Sequence, residues 1–258
     1  MKQFLKSEAK EFGLLLKSVP PVMFAFFVCA IIAMNLLANK SINLSVSWLA
    51  LDSGIIVSWF AFLFMDIITK HYGPKAANEL SILSIIISLT FSLLFFLGSL
   101  IPGTWGESFV DGAEQSINTA LDNTFGGTWY VVLGSTIAFI ASSLTNNFLN
   151  AWVGLLFKRN PDGKAAYFTR SYVSTSIGQF VDNFVFALLV SHFFFGWSIL
   201  QCVTCSLTGM LVELACEALF SYIGYRFTVK WKKEGRGEEY FEYRKNREEE
   251  HEGADNRD

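Results

Sequence analysis

Apolar residues in this chain run in long unbroken blocks, not at the alternating spacing of a strand or on the single stripe of a surface helix. Six blocks stand out: Pro21–Ala38, Val46–Thr69, Leu80–Ile101, Thr128–Phe157, Tyr172–Phe194 and Trp197–Phe227. About 20 apolar residues wound as a helix cross a bilayer core of roughly 30 Å. The pattern therefore predicts six spans, the fourth and sixth long enough to tilt or protrude. The first block is longer than a signal-peptide core and leads to no small-residue cleavage site, so it is read as a retained span. Between spans three and four, Phe109, Val110, Ala113, Ile117, Ala120 and Leu121 recur at helical spacing. They predict a short amphipathic helix on the surface. After the sixth block the pattern ends in a charge-mixed tail broken by Gly235 and Gly237, read as a frayed extension of helix six followed by disorder.

Charge sharpens this picture. The chain has 258 residues, of which 20 are Lys or Arg and 23 are Asp or Glu. Only 18 of those charges lie between Ser18 and Tyr225. A soluble domain of that size could not cover its surface with so few. The same scarcity excludes a nucleic-acid binder. Basic residues favour the cytoplasmic side of short loops. With six crossings, 19 of the 20 Lys and Arg fall on the side holding both termini, and Lys40 stands alone on the other. The expected architecture is an all-α, multi-pass protein of the cell (plasma or inner) membrane, with both termini cytoplasmic. Residues 1–228 form the six-span domain and residues 229–258 the charged tail.

The four cysteines all fall inside spans, so no disulfide framework is expected. Cys202 and Cys205 form a single CxxC, a weak signal in an apolar segment. No HExxH or GxSxG occurs, and His71, His192 and His251 are scattered, so neither an enzyme nor a metal or cofactor site is expected.

Ionisable groups in a span cost about 2.5–3.5 kcal/mol each on insertion scales and mark function. Five carboxylates lie within the blocks, with no Lys or Arg squarely inside one: Asp52, Asp66, Asp182, Glu213 and Glu217. Asp52 reads as an interfacial residue near a helix end. Asp66 lies four residues before Lys70, on the same face. Asp182 falls near the membrane midplane, on a polar stripe with Ser176, Gln179 and Asn183. Amides at Asn35 and Asn39, and at Asn146 and Asn150 beside Asn147, mark helices one and four where an inverted repeat would set them.

Three segments resemble the vitamin uptake transporter family, whose best-known members carry queuosine precursors. They are Asn35-Leu-Leu-Ala-Asn-Lys40, Phe64-Met-Asp-Ile-Ile-Thr-Lys-His-Tyr-Gly73 and Ser174-Thr-Ser-Ile-Gly-Gln-Phe-Val-Asp-Asn-Phe-Val-Phe186. The family is similar to the six-helix substrate-binding subunits of energy-coupling-factor importers. The resemblance implies a transporter for a small planar polar metabolite, a 7-deazaguanine or a vitamin, with Asn35, Asp66, Gln179 and Asp182 lining its site. The alternative is a binding subunit that needs an energising partner; Ala25, Cys29 and Ala33 give helix one a groove for docking. A homo-oligomer is also compatible with the sequence. Chemically, a carboxylate accepts two side-by-side N–H groups of such a ring, and an amide both donates and accepts. Asp182 is assigned the first role and Gln179 the second, with Asn147, Asn150 and Asn183 as further amides and Asp66 or Glu217 as a second carboxylate. Two departures stand out. Many members have Glu at the position of Lys70 and Lys close to Glu213, so a Lys70–Glu213 ion pair of exchanged sign is expected. Asn147 and Asn150 stand where queuosine-precursor members often have Gln and Asp.

Overall fold

The computed structural model describes residues 2–106, 114–156 and 164–255. Their side chains are described except at residues 2–4, 62, 66, 147, 150, 151, 154–156, 164–172, 217, 221 and 250–255. The chain is helical almost throughout: α1 (Lys2–Ser18), α2 (Pro21–Leu37), α3 (Ile55–Tyr72), α4 (Pro74–Ser99), α5 (Glu114–Leu156), α6 (Lys164–Phe186), α7 (Ile199–Lys233) and α8 (Glu238–Asp255). A two-stranded antiparallel hairpin, β1 (Ser41–Ile42) and β2 (Leu51–Asp52), lies between α2 and α3. Among the described residues, five helices are long and apolar enough to cross a membrane, or six if the pair α1 and α2, bent by 101°, counts as one. This is the architecture of an all-α, multi-pass membrane protein.

Local chemistry sets the breaks. Pro20 and Pro21 end one helix and start the next, Pro21 filling the first helical position where no N–H is needed. Gly73, at φ +93°, makes the tight turn between α3 and α4, and Pro74 opens α4. Ser198 and Gln201 form a reciprocal cap on α7: the Ser198 hydroxyl accepts from the Gln201 N–H at 3.3 Å, and the Gln201 carboxamide accepts from the Ser198 N–H at 2.9 Å.

Packing between the helices relies on small residues. Ser81, Ser84, Ser88 and Ser92 form a buried stripe along α4. The hydroxyls of Ser84 and Ser92 bond back to the carbonyls of Leu80 and Ser88 at 2.8 and 2.9 Å, so close approach leaves neither unpaired. The tightest pair is α5 against α6, where the Ser142 hydroxyl donates to the Gly178 carbonyl at 2.8 Å. A Cβ on Gly134 would stand 2.4 Å from Val190 Cγ2. An apolar cluster of Leu15, Phe27, Phe64, Tyr72, Trp231 and Tyr240 fills one end of the bundle. Smaller clusters, around Trp197 with Cys202 and around Val131 with Val190, fill the other.

Three segments differ from the sequence expectation. The helix expected from Val46 begins at Ile55, because residues 41–52 fold back as the hairpin. The separate outer helix is not seen from Glu114 onward; that stretch is the start of the 43-residue α5, about 65 Å long at 1.5 Å per residue. Phe109, Val110 and Ala113 lie outside the described residues. The protruding part of α5 carries its own packing: Trp105 stacks on Phe125 at 5.1 Å and donates through Nε1 to Asp122 at 2.9 Å.

The tail is the third difference. Residues Glu238–Asp255 form α8 rather than disorder and lie against α1. Gly235 and Gly237, both at positive φ, turn the chain back. Arg247 then pairs with Glu8 and Glu11 at 2.6 Å each, and Lys75 with the same two at 3.0 and 2.9 Å. Glu11 is 1% exposed, and burial at that level is tolerated because two cations flank it. Tyr240 is fully buried beside Tyr72, whose hydroxyl donates to the Ser18 carbonyl at 2.9 Å.

Candidate functional site

A cavity of about 90 Å3 lies where α2, the hairpin, α3, α5, α6 and α7 meet. Its wall is largely apolar but carries three carboxylates, without a Lys or Arg among its described lining residues. From α6 come Asp182, Asn183 and Phe186, three positions on neighbouring turns of one face. From α7 come Cys205, Gly209 and Glu213, again one turn apart. Asn35 enters from α2, Asp52 from the hairpin, Gly54 from the cap of α3, Ser58 from α3 and Ser135 from α5.

The internal bonds of the site are few. Asn183 Nδ2 donates to Glu213 Oε1 at 3.2 Å and to the Gln179 carbonyl at 3.0 Å. Asn183 therefore ties the α6 backbone to the α7 carboxylate. Glu213 is 3% exposed, and its second oxygen, Oε2, is buried without a hydrogen-bond partner among the described residues. Gln179 Oε1 is in the same condition. The Asp52 Oδ1 accepts from the Gly54 N–H at 2.8 Å, which fixes the carboxylate at the rim. An unspent acceptor on Glu213, with the carboxylates of Asp182 and Asp52 in the same lining, makes a site for a donor-rich ligand.

Close approach is built in. A Cβ at Gly209 would meet Cγ, Nδ2 and Oδ1 of Asn183 at 3.0 Å each, so glycine lets the amide lie flat on α7. A Cβ at Gly54 would meet Asp52 Oδ1 at 2.8 Å and the Met34 carbonyl at 2.9 Å. Both glycines sit where backbone and polar groups must come close.

Directly after Phe186, residues Ala187–Ser191 make one turn of π-helix, followed by a short helical turn, His192–Phe195. A widened turn leaves backbone groups in need of partners. The Tyr130 hydroxyl donates to the Leu189 carbonyl at 2.6 Å. The loop before β2 is pinned to α7: Thr204 donates to the Trp48 carbonyl at 2.7 Å and Gln201 Nε2 to the Ser47 carbonyl at 3.1 Å. The hairpin is thereby held against α7 on its side of the cavity.

Of the residues singled out from the sequence, Asn35, Asp182, Asn183 and Glu213 line this cavity. Gln179 lies one turn before Asn183 and joins it through its backbone carbonyl. The side chains of Asp66, Asn147, Asn150 and Glu217 lie outside the described residues. Lys70 and Glu213 are not brought together. Glu213 lies level with Ile55 and Ser58 at the start of α3, whereas Lys70 is in its last turn, about 18 Å further along the axis. Asp52 is the residue that sequence reasoning set aside: it lines the cavity, because the hairpin folds it inward. Ser58, Ser135 and Cys205 were also missed, since single Ser and Cys residues in apolar helices look like packing residues. Asn39, paired with Asn35 in the sequence, ties the end of α2 to α5 instead, reaching Thr128 Oγ1 at 3.4 Å.

The family model described as "Putative vitamin uptake transporter" matches residues 52–227. That stretch takes in Asp52 and every helix lining the cavity except α2. A protein of Bacillus subtilis (strain 168) named "Probable queuosine precursor transporter" is 26% identical over 164 residues. The match covers 64% of this chain, which spans 66% of that relative's length. No solved structure matches.

Proposed function

This chain belongs to the vitamin uptake transporter family, and from that premise we propose that it imports a small planar polar metabolite, a queuosine precursor of the 7-deazaguanine class, through the cavity around Asp182. Transport, not catalysis, is the family's activity. The observation that carries the reading is the set of carboxylate and amide acceptors facing one cavity with no protein cation among the described lining residues. A 7-deazaguanine edge presents a ring N–H beside an exocyclic amine. Asp182 accepts both in a bidentate pair, each charge-assisted bond being about twice as strong as a neutral one. Asn35 offers an amide donor to the ring oxygen, while Asn183, both of whose N–H groups are spent on Glu213 and the Gln179 carbonyl, keeps its Oδ1 as an acceptor. Phe186 supplies a face for the flat ring. Glu213 and Asp52 are then the carboxylates available to a cationic substituent, a role for which the sequence had suggested Asp66 or Glu217.

The protein acts in the plasma (inner) membrane with α1 and α8 on the cytoplasmic side, supported by the 19 basic residues that six crossings bring to that side. Substrate binds between helices that rock about the site, as in other alternating-access carriers. The test is uptake of labelled queuosine precursors against labelled vitamins in a strain lacking its own importer. Uptake of a precursor by the wild type, lost in Asp182→Asn, is the expected result. Undiminished precursor uptake by that variant removes Asp182 from the site, and uptake of a vitamin alone replaces the substrate.

A further inference from the structure

The C-terminal half of α7 carries a second site, away from the transport cavity. Arg226, Lys230 and Lys233 are spaced four and three residues apart, so they share one face. With Tyr222 and Phe227 they border an open surface hollow whose described lining residues all come from this one helix. Tyr222 organises it: its ring lies 6.0 Å from the Arg226 guanidinium, and its hydroxyl accepts from Arg226 Nη1 at 3.3 Å. Glu234 is the acidic member. It sits 3.7 Å from Lys230 but is shared with Arg236 at 3.3 Å, so the cluster keeps net positive charge.

On the neighbouring face of the same helix Phe227 also borders a second cavity, of about 340 Å3. That one is almost wholly apolar, walled by Phe26 of α2, by Phe60, Leu63 and Ile67 of α3, and by Trp231. From Phe60 to Ile67 the groove follows α3 for about 10 Å. A cationic hollow and an apolar groove thus meet at one residue, at the end of a membrane-crossing helix.

We propose that this hollow and groove together bind one anionic phospholipid, its phosphate among Arg226, Lys230 and Lys233 and an acyl chain in the groove past Phe227. Charge complementarity selects an anionic headgroup, since basic pockets beside membrane helices attract such lipids at about 1 kcal/mol per Lys or Arg. The groove selects a lipid over free phosphate, because only a lipid fills both. The proposal rests on the helices crossing a membrane and not on the identity of the transported substrate.

Native mass spectrometry of the full-length protein, released from detergent with added phosphatidylglycerol or with phosphatidylcholine of the same acyl chains, tests it. Phosphatidylglycerol binds the wild type more tightly than phosphatidylcholine. The triple variant Arg226→Gln, Lys230→Gln, Lys233→Gln weakens phosphatidylglycerol binding about a hundredfold at low salt, each single change contributing about fivefold. The charge-keeping triple Arg226→Lys, Lys230→Arg, Lys233→Arg retains the preference. Equal binding of the two lipids overturns the proposal, as does an unaffected Gln variant. Displacement of the lipid by inorganic phosphate at equal concentration overturns the lipid assignment. If the Gln triple fails to fold, the three single variants carry the same test.

Discussion

Adding one methyl group at Gly209 tests the geometry of the candidate site more sharply than removing a charge. The new Cβ would lie 3.0 Å from three atoms of the Asn183 amide, against an ordinary contact of roughly 3.5–4.0 Å. The amide must retreat by about half an ångström. Its bond to Glu213 is already 3.2 Å long, and about 3.2 Å is the usual upper limit for N–H···O. The bond therefore breaks. A typical hydrogen bond is worth about 0.5–1.5 kcal/mol net, so substrate affinity falls about twofold to tenfold if Asn183 is held ready for it by Glu213. Helix stability changes in the opposite sense, because alanine inside a helix is favoured over glycine by about 1 kcal/mol. Gly209→Ala is thus expected to unfold at nearly the wild-type temperature while its uptake KM rises about twofold to tenfold. The assay is concentration-dependent uptake of the labelled precursor, paired with a thermal scan in detergent. An unchanged KM in a folded variant refutes the claim that the Asn183–Glu213 bond shapes the site.

Further outcomes follow from other contacts. Gly134→Ala places a Cβ 2.4 Å from Val190 Cγ2 and should destabilise the protein by about 1–3 kcal/mol through overpacking; Val190→Ala in the same chain should restore the thermal midpoint. Tyr130→Phe removes the donor to the Leu189 carbonyl and should lower stability by about 1 kcal/mol or somewhat more, read as a shift in the same midpoint. Burial raises the Glu8 carboxyl, but bonds from Lys75 and Arg247 outweigh it and hold the group below its ordinary range. Its contribution is therefore present above the ordinary carboxylate value and lost as pH falls through the lowered one; amide exchange in α8 should accelerate over that acid window and stay slow at neutral pH. Arg247→Met leaves Glu11, 1% exposed, with Lys75 as its remaining cation, and should likewise speed exchange in α8 while leaving α6 protected.

Much of this was legible because a bilayer imposes a simple rule on sequence: length and hydropathy decide where a helix crosses. The positions of α4, α6 and α7 follow from it. That Asp182 and Asn183 would face the interior was legible too, since polar groups on an apolar helix have no packing reason to be there. What escaped the sequence depended on contacts between distant segments. Asp52 looks interfacial by counting, and only the hairpin, anchored through Ser47 and Trp48 to α7, carries it inward. The tail has the composition of a disordered segment, yet its helix is held by Arg247 on Glu8 and Glu11, more than 230 residues away in sequence. The proposed exchange of Lys70 and Glu213 treated charge sign as a pairing rule, but the two are set apart along the axis of α3.

The π turn at Ala187–Ser191 gives the chain a place to gain or lose a residue. One position more or less rotates everything beyond it by about 100° in a regular helix. A wide turn absorbs that rotation locally. Deleting a residue within it would draw the turn into ordinary α-helix and leave Asp182 and Asn183, which precede it, in register with α7. The part beyond it, from His192 to the α7 cap, would keep its face as well. The length of the chain at this turn is in this sense adjustable without disturbing the residues that line the cavity.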